Sequence, residues 1–164
     1  MQKRAGNVFG LVRDMDLVLK IWQRLQQVSN LTFVAVSGRG DKGWNGKGSG
    51  DIQIEASGLV LIFREEGTWK TKEGQVLTFK NVWRWTYQPS KKSIKLEHLR
   101  FGAENPVFLF DLSVAVGPQL NSDQPHKCVN DYYTGTLTLK EDNLELDWYI
   151  EGPKKDEHIH YIYS

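Results

Sequence analysis

A single cysteine, Cys128, stands among the 164 residues of the chain. One thiol excludes an internal disulfide framework and a multi-cysteine structural zinc site. An excess of charge is also lacking, with 21 Lys and Arg against 20 Asp and Glu and a formal net charge of +1. That balance supplies neither the basic footprint of a nucleic-acid binder nor the attraction to an anionic membrane surface. No apolar run approaches the roughly 20 residues that a spanning helix needs. The basic start, Met1 to Arg4, is followed by Asp14 and Asp16 before any signal-peptide core forms. These absences predict a soluble, cytoplasmic protein with no nucleic-acid or membrane partner. The length predicts one domain over residues 1–164, long enough to bury a sizeable core.

What the chain has in excess is large aromatic side chains: six Trp, six Tyr and seven Phe. At that density they either fill a β core or line a cavity. The pattern along the chain begins to separate the two. Val18, Ile21, Trp22, Leu25 and Val28 recur at spacings of three and four, which predicts an amphipathic helix over 14–29, capped by Asp14 or Asp16 and ended at Ser29-Asn30. Everything after it reads as β. Strands are predicted at Leu31–Ser37, Asp51–Ala56, Leu59–Glu65, around Trp69, Val76–Tyr87, Lys92–Phe101, Val107–Val114, Tyr132–Lys140, Leu144–Glu151 and His158–Tyr163. Turn residues separate them, and 38–50 reads as a Gly-rich loop carrying Trp44.

Short strands joined by short turns, without alternating helices, predict an antiparallel meander. A sheet of that length closes on itself, because open edges invite aggregation. The expected fold is therefore mainly β: an antiparallel up-and-down barrel of about nine or ten strands with one N-terminal helix, and room inside for one small ligand.

Four motifs match patterns without their mechanism. Gly38-Arg39-Gly40-Asp41-Lys42-Gly43 has dinucleotide-fingerprint spacing, but a further Gly-rich stretch follows instead of the helix that would hold the pyrophosphate. Gly46-Lys47 lacks the Ser or Thr that completes a phosphate loop. Arg39-Gly40-Asp41 and the sequon Asn30-Leu31-Thr32 have no extracellular context.

Polar residues on apolar strand faces are more informative. Leu59, Leu61 and Phe63 continue in phase to Glu65, and Leu77, Phe79, Trp83, Trp85 and Tyr87 share their face with Asn81. Ile94 and Leu96 run on to His98 and Arg100. If these faces point inward, Glu65, Asn81, His98 and Arg100 converge in a Trp-lined space, where Arg100 either pairs with a carboxylate or binds an anionic ligand. A bulge would turn some of them outward. A second cluster, His126, Cys128, Asp131 and Tyr133, has the residue types of a catalytic or metal-binding kit, with Cys128 and His126 as nucleophile and base but no evident orienting group; the alternative is a strand entry with His126 and Asp131 bonding backbone. His158-x-His160 places two imidazoles on one strand face, a spacing that suits zinc, with a third ligand still to be found among His98, His126, Cys128 or a carboxylate. Without that third ligand no metal site is assigned.

His126-x-Cys128-x-x-Asp131-x-Tyr133, followed by Trp148, Gly152-Pro153-x-Lys155-Asp156 and Tyr163, resembles the signature of the domain-of-unknown-function family numbered 6314. The Glu66-Gly67 turn and its aromatic strand are similar as well. The resemblance implies no assigned reaction; it implies a barrel similar to the calycins, and it marks Lys155 and Asp156 alongside the His126 cluster. Lipocalins carry Gly-x-Trp on the first strand, whereas Gly67-Thr68-Trp69 lies mid-chain here.

Two pocket functions follow. The first is binding of a small, partly apolar, anionic molecule, with walls from Phe79, Trp83, Trp85, Phe108, Phe110 and Trp148 and polar contacts from Arg100, His98, Glu65, Asn81, Tyr133 and Lys155. The second is catalysis in the same barrel, with His126 or His98 as base and Asp131 or Glu65 as partner. A third reading is a protein-interaction module whose barrel is filled. The sequence names no cofactor and no oligomeric state.

Overall fold

The computed structural model describes residues 8–164, with side chains from residue 17 onward. Helix α1 runs Val8–Leu25. The strands are β1 (Asn30–Ser37), β2 (Gly46–Ser57), β3 (Val60–Thr71), β4 (Val76–Gln88), β5 (Ser93–His98), β6 (Val107–Val114), β7 (Gln119–Ser122), β8 (His126–Cys128), β9 (Asp131–Leu139), β10 (Leu144–Gly152) and β11 (Lys155–Tyr163). All neighbouring pairs are antiparallel, and β11 inserts between β10 and β1, so the sheet closes as a ten-strand barrel. Strand β8 extends the line of β7 along the same edge of β9, after a break at Asp123-Gln124-Pro125.

The helix is displaced relative to the sequence expectation. It begins at Val8 and ends at Leu25, so Asp14 and Asp16 fall inside it rather than at its start, and their side chains lie outside the described residues. The apolar stripe is as expected: Val18, Ile21, Trp22, Leu25 and Val28 are all buried. That stripe closes one end of the barrel. Trp22 stacks on Tyr87 at the end of β4, with ring centroids 5.7 Å apart. The Arg24 guanidinium donates to the Glu141 carbonyl at 3.1 Å and to the Lys140 and Asn143 carbonyls at 3.4 Å, tying the helix to the β9–β10 turn.

Two glycine expectations are corrected. Gly67 was expected to separate two strands, but β3 runs through it. A Cβ there would collide with the Ser49 carbonyl oxygen of β2, so this glycine permits close backbone approach rather than a turn. The Gly-rich loop is also shorter than 38–50: residues from Gly46 onward pair as β2. Gly48 faces the Phe33 ring, and the absent side chain makes room for Phe33 and Trp69.

Inside, the barrel has two halves. Next to the helix, Leu61, Phe63, Trp85, Ile94, Leu96, Phe110, Leu112 and Tyr163 are buried in a continuous apolar core. Trp85 is wholly inaccessible, its ring 5.8 Å from that of Phe63. The other half holds a cavity.

Candidate functional site

At the end away from the helix lies a cavity of about 270 Å³, lined by Trp44, Asn81, Trp83, His98, Arg100, Val107, Leu109, Cys128, Tyr133, Trp148, Ile150, Ile159 and Tyr161. A smaller space of about 190 Å³ adjoins it and shares Trp44, Asn81, Ile159 and Tyr161, adding Phe33, Trp69 and Phe79. Strand phase produces this lining directly. Trp83 of β4 stands opposite Phe63 of β3 and His98 of β5, so all three share the inner face. The His98 ring stacks on Trp83 with centroids 4.2 Å apart, and Trp148 lies 5.4 Å away on the far side of the barrel.

Of the four polar residues expected to converge, Asn81, His98 and Arg100 line the cavity. Arg100 lies two residues past the end of β5 and is exposed, and its guanidinium lies 4.7 Å from the centroid of the Phe101 ring. Among the described residues no carboxylate pairs with it. His98 is held below its ordinary value by burial and then by the Arg100 charge, so its imidazole is neutral at pH 7.

Glu65 sits deeper, 1% exposed, and shares the inner face with Asn81. Burial pushes its carboxyl up from the ordinary 4.5 to about 7, an effect that Trp83, Tyr163 and Asn81 partly offset. Among the described residues only Tyr163 makes a well-formed hydrogen bond, its hydroxyl donating to Glu65 Oε1 at 3.1 Å, and Glu65 Oε2 and Trp83 Nε1 meet no partner there. The same burial, followed by the nearby Glu65 charge, drives the Tyr161 and Tyr163 hydroxyls above their ordinary range. Glu65 and Arg100 do not pair, and the ion-pair reading of these residues is set aside.

Several expected wall residues lie elsewhere. Trp85 and Phe110 are fully buried one step nearer the helix and do not line the cavity. Phe108 is turned outward because the β5–β6 register shifts at Leu96/Glu97, which buries Leu109 and Phe110 in succession. Its ring meets His126 edge-on at 5.3 Å, and His126 does not line the cavity. Asp131 pairs with Lys155 at 3.3 Å instead of with His126. Among the described residues neither His98 nor His126 is hydrogen-bonded to a carboxylate, so the expected acid–base pairs do not form.

One residue absent from the sequence reading organises the rim. Glu157 of β11 is buried, accepting from the Ser37 hydroxyl and the Trp44 backbone N–H, both at 3.1 Å. This fixes the loop that carries Trp44, a residue that remains 43% exposed at the cavity edge with Lys155 Nζ 5.4 Å from its ring centroid. Glu157 is in phase with Ile159 and Tyr161, so alternation along the last strand contained the signal.

Residues 26–164 match a family model described as "Family of unknown function (DUF6314)". The chain belongs to this family. The match spans every strand of the barrel and includes all the cavity-lining residues. No curated protein and no solved structure matches the chain. No described helix is long and apolar enough to cross a membrane.

Proposed function

We propose that this member of the DUF6314 family binds a small, partly apolar, anionic molecule in the open half of its barrel. The observation that carries the reading is one cavity that combines aromatic walls with a guanidinium that pairs with no carboxylate among the described residues. Trp44, Trp83, Trp148 and Tyr161 supply apolar surface, and Arg100 stands at the rim. Apolar lining gives affinity, while a few polar groups fix the pose. The volume, about 270 Å³, lies near the lower bound of ligand pockets, roughly 300 Å³, and suits a one- or two-ring acid rather than a long lipid. His98, held neutral beside Arg100, adds a hydrogen-bonding group without a second full charge. The hollow half favours a pocket over a filled interaction module, and the separation of His126 from Asp131 favours binding over acid–base catalysis by that pair.

The test compares 2-naphthoate with 2-naphthamide, which share the ring system and differ in charge, by quenching of tryptophan fluorescence. A guanidinium–carboxylate hydrogen bond contributes about 1.5–3 kcal/mol, so the acid should bind roughly ten- to a hundredfold more tightly. Arg100→Gln should remove that preference while leaving the far-UV spectrum intact. Equal binding of the two probes by the unaltered protein, or an unchanged preference in Arg100→Gln, contradicts the reading. Native mass spectrometry of protein from its own cells would identify a retained ligand.

A further inference from the structure

The outer face of the barrel carries a second constellation, independent of the cavity. Asp147 of β10 stands opposite His160 of β11, and Tyr149 stands opposite His158. Alternation sends Trp148 and Ile159 inward to the cavity and leaves these four on the outside. His158 Nε2 and His160 Nδ1 approach the same carboxylate oxygen, Asp147 Oδ1, each at 2.8 Å. The three ligand-type atoms lie within 4.8 Å of one another.

We infer that Asp147, His158 and His160 form a binding site for a divalent transition metal, best matched by Zn²⁺, with water completing the coordination. Two imidazoles and a carboxylate form a borderline donor set that suits zinc better than calcium or magnesium. The geometry is close to that required. Tetrahedral zinc with ligand distances near 2.0–2.1 Å separates its donor atoms by about 3.3 Å. The two contacts to Asp147 therefore need to open by about half an ångström, within reach of side-chain rotation. The strand frame holds both histidines against the carboxylate from neighbouring, hydrogen-bonded positions.

The surroundings add orientation. The His158 ring lies flat on Tyr149, with centroids 4.4 Å apart and planes 5° apart, which sets the direction of its Nε2. The Glu145 carboxylate lies 3.9 Å from His160 Nε2, the ring nitrogen facing away from the site, at ion-pair but not hydrogen-bond distance. Metal-binding histidines commonly use that second nitrogen to contact a carboxylate, which fixes the tautomer and strengthens the ligand. The two-histidine pattern visible in the sequence lacked a third ligand; the neighbouring strand supplies it. Three protein ligands plus an open position is the ligand count of reactive rather than closed zinc sites.

The experiment uses the full chain, stripped with a chelator and titrated with Zn²⁺ by calorimetry and with Co²⁺ by visible absorption. One saturating site per chain and a d–d spectrum of low-symmetry, four- or five-coordinate cobalt are expected. Asp147→Asn and His160→Gln should each weaken Zn²⁺ binding by more than the roughly 10–100-fold that follows loss of an outer partner. Circular dichroism of the metal-free variants checks their folding, and His158→Gln provides a separate loss of ligand if either fails. No saturable binding by the unaltered protein overturns the proposal. So does unchanged affinity in the combined Asp147→Asn, His158→Gln, His160→Gln variant, because the metal would then sit elsewhere.

Discussion

Replacing Glu65 with Gln should stabilise the protein, and by an amount that grows with pH. The carboxyl is displaced from 4.5 to about 7, chiefly by burial. At about 1.4 kcal/mol per pKa unit, the ionised form costs the folded state about 3 kcal/mol. Below about pH 4.5 both folded and unfolded chains are protonated, so the cost is absent. Between about 4.5 and about 7 the unfolded chain has lost the proton while the folded chain keeps it, and the stability of the unaltered protein falls as pH rises. Above about 7 both states are ionised and the full cost persists. Gln retains the carbonyl that accepts from Tyr163 but cannot ionise. The variant should therefore match the unaltered protein at the acid end and exceed it by about 3 kcal/mol on the alkaline side, or about 6–12 °C in Tm for a chain of this size. Urea and thermal unfolding by circular dichroism from about pH 5 to about pH 8 read the difference directly, because titrations common to both proteins cancel. A gap that stays constant across that range, or a variant less stable than the parent at the alkaline end, refutes the assignment of Glu65 as a buried acid with a raised pKa.

Two further substitutions test the packing and the electrostatics. A Cβ at Gly135 would lie 2.5 Å from Phe110 Cζ in the packed half, so Gly135→Ala should cost about 1–3 kcal/mol in urea unfolding. Adding Phe110→Leu should recover part of that loss relative to Phe110→Leu alone, and additive costs would show that the two do not meet. The Arg100 charge contributes to holding His98 down, so Arg100→Gln should raise the His98 midpoint in an imidazole NMR titration, whereas an unmoved midpoint leaves burial as the sole cause.

Much of the barrel was legible because alternation reports which face a side chain takes without needing to know the partner strand. Glu65, Asn81 and His98 were placed on the inner face on that basis, and the paired registers agree. Turn chemistry was less reliable. Gly67 looked like a break, yet the constraint was the closeness of β2, which no local pattern reports. Strands β7 and β8 were missed because each is only a few residues long and they are separated by Asp123-Gln124-Pro125. Phe108 was assigned to the wrong side because one register shift reverses the phase beyond it. Asp147 went unremarked for a different reason: its meaning depends on the histidines across the β10–β11 pair, and cross-strand neighbours are invisible to a reading made one strand at a time.

The position of β11 between β10 and β1 has a consequence for how the barrel assembles. From β1 through β6, each strand pairs with the one that follows it, so that part of the sheet can grow by local zippering. The seam joining the first strand to the last, Leu31 against Tyr163, cannot form until the final strand arrives. Before that moment β1 and β10 are both unpaired edges, and the aromatic interior faces water. Closure therefore depends on a long-range pairing of the kind that slows folding, and until it forms the two open edges can pair with another copy of the chain.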